Sequence, residues 1–232
     1  MVYDKGIFGG IPWLDHTPGI DSLRILPPEK KIPFPVSRGT PVFLQESIQA
    51  LLRTLTARDP YTGHHSARVT DLSLHFARFL GLSSQDLESL KIAGYLHDIG
   101  KIGVRDTILL KPGPLTPEER AIIETHPIIG HKIVEPLGLL AQENQIILHH
   151  HEAWNGCGYP HGLAQDKIPF LCRVLALADV FDALTSDRPY RPRFSLPDAL
   201  AEIETQAGRQ FDPDLTEKFV HMITSRTPHI FA

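Results

Sequence analysis

The sequence predicts an all-α domain behind a proline-rich, largely irregular N-terminal arm, and three observations predict it. From residue 42 onward, apolar residues recur at the helical period of about 3.6 residues. No stretch alternates apolar and polar residues at period two, as a half-buried strand would. Seven of the twenty prolines crowd into residues 1–41, a density that forbids long helix and favours extended chain. The spacing divides the chain into an arm or linker over 1–41 and a helical domain over 42–232.

The elements follow in order. Leu44, Ile48, Leu51, Leu52 and Leu55 mark the first helix. Val69, Leu72, Phe76, Phe79 and Leu80 mark the second, which ends at Gly81, a residue tolerant of positive φ. Ser83 or Ser84 caps a third helix, expected to run through Leu87, Leu90 and Leu96 to His97 and Asp98. Thr116, Pro117 and Glu119 form a capping box that opens another. Later helices are expected at about residues 140–151, 170–185, 196–207 and 213–224. Their start and stop signals include Ser195, Gly208 and the Asp212-Pro213 pair.

Composition excludes several classes. The 232 residues suffice for one good-sized domain with a full core. Net charge is −4, so no basic field draws in a DNA or RNA duplex, and an anionic ligand must meet a local cluster of positive groups. No run of about 18 apolar residues and no signal-peptide pattern occurs, which predicts a cytoplasmic protein without membrane insertion. Cys157 and Cys172 are the two cysteines, too few for a disulfide framework or a cysteine-based zinc site. Thirteen histidines direct any metal chemistry to imidazole and carboxylate.

The segment HHHEAWNGCGYP, residues 149–160, places three consecutive histidines and a glutamate before a glycine-rich turn. Consecutive helical residues point about 100° apart, so core packing gives no reason for the cluster, whereas a metal ion does. Other segments supply further ligand types: His65 in TGHHSARV, His97-Asp98 in YLHDIGKIG, His126 in ETHPIIG and Asp179 in ALADVFDAL. With His150 and His151 these make five imidazoles and two carboxylates. That set suits two divalent ions if one carboxylate bridges and water fills the remaining positions. Asp98 is the natural bridge. A His/Asp set favours iron or manganese, with zinc as the alternative.

From about residue 58 to 222 the chain resembles the HD-GYP family of bacterial phosphodiesterases, a subgroup of the HD metal-dependent phosphohydrolases. The resemblance rests on HSARV at 65–69, LHDIGK at 96–101, KPGPLT at 111–116, HP at 126–127, HHEAWNGCGYP at 150–160 and ADVFDALTSDRPYR at 178–191. It implies an HD-type helical bundle that hydrolyses cyclic di-GMP at a centre of two or three metals. It implies metal-ligand roles for His65, His97, Asp98, His126, His150, His151 and Asp179. It further implies a phosphate-contacting Lys101, the signature Tyr159, and dinucleotide-facing Arg188 and Arg191. The expected reaction is attack of metal-activated hydroxide on phosphorus, with the catalytic Asp98 holding the ions and Lys101 absorbing developing charge. The rival expectations are a low-turnover cyclic di-GMP-binding or partner-docking module and a hydrolase of another nucleotide phosphoester. A signalling protein partner or a homodimer is expected, with control lying in the arm, in partners or in further chain.

The sequence departs from the family pattern at several positions. Tyr61 stands where trimetallic members have a glutamate ligand, so two ions are expected rather than three, with linear pGpG accumulating before slower conversion to GMP. His64, Ala153 and Asn155 replace a common glycine, arginine and aspartate without removing a ligand. His149 is expected to point away from the metals. His16, His75, His131, His161, His221 and His229 are expected at the surface or hydrogen-bonded in the core. Glu152 is expected to orient a ligand histidine or to form a salt bridge, and Asp182 to pack between helices or support a ligand.

Overall fold

The computed structural model describes residues 42–138, 141–187 and 192–230, the side chains of residues 60, 61 and 226–230 excepted. The proline-rich arm, Arg188 and Arg191 lie outside the described residues. Those described form ten α-helices and no strand, only two isolated bridges, so the all-α expectation holds. The helices are α1 Val42–Arg58, α2 Pro60–Phe79, α3 Ser84–Leu96, α4 Asp106–Leu109, α5 Pro117–Ile123, α6 His126–Val134, α7 Ala141–His149, α8 Phe170–Thr185, α9 Leu196–Thr205 and α10 Pro213–Ile230.

Local signals place the starts. Ser83 accepts a hydrogen bond from the Asp86 backbone N–H at 3.1 Å, and Thr116 and Glu119 close the capping box ahead of α5. The Asp212 carboxylate accepts from the backbone N–H groups of Asp214 and Leu215, satisfying two otherwise orphaned donors of α10.

The core gathers around α8, where Leu175, Leu177, Ala178 and Leu184 are inaccessible to solvent. The helices α2, α3, α7 and α9 pack against it. Phe76 of α2, Phe181 of α8 and Phe219 of α10 meet edge to face at 5.1–5.4 Å. Burying each such side chain contributes about 1.5–3 kcal/mol. Phe79, on the expected apolar stripe of α2, is 39% exposed instead. It falls in the last turn of α2, its ring 6.0 Å from that of His221 on α10.

The principal correction concerns the helix expected to run on to Asp98. It stops at Leu96; His97 is its C-cap, and the chain tightens into a 3-10 turn over Ile99–Gly103. Close packing against α6 is the reason. A Cβ at Gly100 would overlap the His126 carbonyl oxygen and the Gly130 nitrogen, so backbone meets backbone there. Arg58, at the end of α1, fastens the same turn by donating to the carbonyls of Lys101, Ile102 and Val104 and to Asp106. Lys101 is therefore carried on a pinned turn rather than on a continuing helix. Smaller shifts also occur. The histidine-bearing helix α7 ends at His149, two residues early, and α9 ends at Thr205, where Gly208 turns the chain at φ +75°. The last helix runs on to Ile230, six residues beyond the expected end.

Candidate metal centre

Five helices deliver the seven predicted ligand residues to one place. His65 comes from α2, His97 and Asp98 from the end of α3, His126 from the first position of α6, His150 and His151 from just beyond α7, and Asp179 from the middle of α8. All are buried except the half-buried His151. Their atoms form two groups that share Asp98: one of Asp98, His126, His150 and His151, the other of His65, His97 and Asp98. Within each group the candidate ligand atoms lie within 4.8 Å of one another. Asp98 Oδ1 is 3.4 Å from His126 Nε2, and Oδ2 is 3.5 Å from His97 Nε2. Asp179 stands at the edge, its Oδ1 3.0 Å from His65 Nε2.

The imidazoles are oriented by their far sides. The Nδ1 atoms of His97, His126 and His150 lie 2.7 Å from the carbonyl oxygens of Gly94, Ile123 and Ile147. A carbonyl only accepts, so each Nδ1 carries the proton and each Nε2 presents a lone pair inward. His65 is set the same way by a carboxylate, its Nδ1 donating to Asp182 Oδ2 at 2.7 Å. Asp182 is itself gripped by Arg68 through two hydrogen bonds of 2.6 and 2.9 Å. Such outward partners fix the tautomer of metal-ligating histidines. Asp182 thus supports His65, one of the two expectations for it, but Arg68 carried no expectation. Its signal was its position three residues after His65 on one helix face.

These residues fit metal ions on their own geometry. Nε2 of His126 and Nε2 of His150, both lone-pair atoms, face each other at 3.3 Å. His97 Nε2 and Asp179 Oδ1 are buried without any hydrogen-bond partner. Two acceptors facing each other at depth are costly unless a cation lies between them. Burial lowers the pKa of His126 and His151 and pushes that of His150 down to about 4, so the three rings stay neutral donors at neutral pH. Burial opposes ionisation of Asp98 too, but Lys101 and the surrounding imidazoles outweigh it and hold its carboxyl well below the usual range. For His65 burial acts downward, yet Asp179 and Asp182 together raise its pKa above the ordinary value.

Around the cluster opens a cleft of ≈ 540 Å³, onto which Lys101, Arg120, Arg209 and Tyr159 face. Lys101 Nζ lies 2.6 Å from Asp98 Oδ2. Arg120 and Arg209 were not singled out by sequence, because nothing in their neighbourhood marks them as site residues. The Tyr159 ring lies 4.8 Å from that of His151, tilted by 35°, so in this structure it stacks on a candidate ligand. Gly158 makes that contact sterically feasible, since a Cβ there would collide with the backbone of His151, Glu152 and Ala153. Glu152 corrects both expectations: its two oxygens accept from the backbone N–H groups of His161 and Leu163 at 2.8 and 2.9 Å. It holds the loop after Pro160 and orients no ligand. His149 points away from the cluster as expected, with Nε2 3.1 Å from His161 Nδ1.

A family model described as HD domain matches residues 49–215. A cyclic di-GMP phosphodiesterase of Thermotoga maritima is 41% identical over 182 residues, covering 78% of this chain and 50% of the relative. The cyclic di-GMP phosphodiesterase response regulator RpfG of Xanthomonas campestris pv. campestris is 39% identical over 176 residues, covering 73% of this chain and 45% of the relative. Among solved structures, a cyclic GMP-AMP-specific phosphodiesterase of V. cholerae superposes with a TM-score of 0.61 at 23% identity, over 79% of this chain and 49% of that one. At that identity the likeness shows a shared fold. An all-helical bundle built around a histidine–aspartate cluster is the class that fold and site define. The chain belongs to the HD domain family, whose members are metal-dependent phosphohydrolases, and the HD-GYP resemblance agrees with the relatives' names. It spans about half the length of the curated relatives it matches.

Proposed function

We propose that this chain is a phosphodiesterase that hydrolyses cyclic di-GMP to linear pGpG, and more slowly to GMP, using two divalent ions. The observation carrying the proposal is one carboxylate, Asp98, shared by two groups of inward-facing candidate ligands in a cleft onto which Lys101, Arg120 and Arg209 also face. His126, His150 and His151 with Asp98 would hold one ion, and His65, His97 and Asp179 with Asp98 the other. When bound, the ions supply an acidified water as nucleophile and polarise the phosphodiester. The chain's own residues do the rest. Lys101, a buried cation at the cleft floor, offsets negative charge building on phosphorus during in-line displacement. Arg120 and Arg209 offer donors to the second phosphate of a dinucleotide. His65 is kept in its donor tautomer by Asp182 and Arg68. Iron or manganese suits a set of imidazoles and carboxylates without sulfur. Tyr61 in the place of a glutamate ligand argues for two ions rather than three.

Chromatography of products from protein loaded separately with iron, manganese or zinc tests this. Cyclic di-GMP should yield pGpG first, and turnover should exceed that of 3′,3′-cGAMP and of a simple aryl phosphodiester. Tight binding of cyclic di-GMP without turnover under every metal would establish the docking-module reading instead.

A further inference from the structure

Beside the proposed centre lies a second cluster of ligand atoms. His149, Glu152 and His161 each offer one, and all lie within 4.8 Å of one another. His149 and Glu152 are buried, at 7% and 4% exposure, while His161 is exposed. His149 Nδ1 donates to the Gln145 carbonyl at 3.0 Å, which leaves the Nε2 lone pair facing His161 Nδ1 at 3.1 Å. Two ligands on a tetrahedral zinc ion with bonds of about 2.0–2.1 Å stand about 3.3 Å apart, so the two rings are already spaced as a chelating pair. Glu152 brings a carboxylate oxygen within the same 4.8 Å, its position fixed by the two backbone N–H groups from which it accepts. Among the described residues its buried carboxylate has no ion-pair partner, and buried carboxylates are ordinarily paired or metal-bound. A hydrogen bond between the two rings would satisfy His149 but would leave Glu152 without a cation.

We infer that His149, Glu152 and His161 form an accessory site for a divalent transition ion of the zinc class, separate from the proposed centre. The two nitrogens and one oxygen suit such an ion, and the exposed side of His161 leaves room for water as the fourth ligand. Seating the ion takes a small rotation of the exposed His161 ring toward Glu152. An ion there ties the end of α7 to the loop that carries Tyr159, so it fixes the wall of the cleft rather than its floor. The inference uses none of the seven central ligands, and it stands or falls separately from the proposed activity.

His161→Ala tests it while keeping the backbone N–H that Glu152 accepts. Under equilibrium dialysis against zinc, wild-type protein should hold one more equivalent than His161→Ala. Its weakest site should be lost in the variant, or weakened at least about tenfold. His161→Cys provides a second, spectroscopic readout. Loaded with cobalt, it should show a near-ultraviolet thiolate-to-metal band that cobalt-loaded wild type, which keeps Cys157 and Cys172, lacks. Equal zinc stoichiometry in wild type and His161→Ala, or no new band in His161→Cys, overturns the inference.

Discussion

Asp98 is the residue on which the site turns, because both ligand groups include it and Lys101 leans on it. Replacing it with asparagine keeps the volume but removes the charge. Groups that merely orient a ligand are worth about 10–100-fold in affinity or activity. Loss of the shared ligand should therefore reduce turnover of cyclic di-GMP by more than about 100-fold and reduce bound metal. Full activity with unchanged metal content would rule out a shared-carboxylate centre. Asp182→Asn tests orientation alone: bound metal should weaken about 10–100-fold while the fold stays intact, and an unchanged metal affinity would reduce the Asp182–Arg68 pair to a packing contact. The acid response of metal-free protein follows from the histidines. His126, His150 and His151 have pKa values lowered mainly by burial, so below about pH 6.5 the unfolded chain takes up protons that the folded chain refuses. Stability should fall as pH drops from about 6.5 toward 4, where His150 begins to protonate in place. His149, also lowered chiefly by burial, adds to the same trend, while His65, with its raised pKa, works in the opposite direction, one group against four. Melting temperatures of chelator-stripped protein at pH 7.5, 6 and 5 check this, and a flat series would contradict it. The residue types of the site were legible because HD and HH doublets have no packing rationale. The supports were not: Glu152's grip on two backbone N–H groups depends on a loop path that no spacing rule encodes.

At the scale of elements, the site depends on close backbone approach where the 3-10 turn meets α6. Gly100→Ala inserts a methyl against the His126 carbonyl, and overpacking of this kind costs about 1–3 kcal/mol. The damage should reach His126 through the shifted start of α6, so the variant should lose both stability and metal. Gly113→Ala serves as the comparison, because no atom lies within 4 Å of a Cβ built there and only its positive φ is strained. A Gly100→Ala protein as stable as the unsubstituted chain would show that the turn has slack. Helix starts were readable because Ser83, Thr116 and Ser195 act through hydrogen bonds confined to a few residues. Helix ends were less so. That α3 yields to a 3-10 turn is decided by α6 and Arg58, distant in sequence, and local propensity carries no record of them.

For the whole molecule, five helices converge on the ligand cluster, so ions bound there would fasten α2, α3, α6, α7 and α8 together. An ion at about 1,000 times its dissociation constant stabilises the folded state by about 4 kcal/mol. In a domain of this size that is about 8–16 °C in melting temperature, and a chelator should remove it; no shift on chelation would place the metal on the surface. Lys101 Nζ lies 2.6 Å from Asp98 and cannot serve that carboxylate and a phosphate fully at once. On the proposed reading, cations drawing on the Asp98 oxygens would release the ammonium, and a released ammonium would attract a phosphate of the dinucleotide. Arming the floor of the cleft and catching the messenger would then be one linked equilibrium, and linkage is reciprocal. By whatever factor bound metal would tighten the binding of cyclic di-GMP, cyclic di-GMP would tighten the binding of metal. A domain built this way would resist metal scarcity while its signal is abundant and disarm itself once the signal has been consumed.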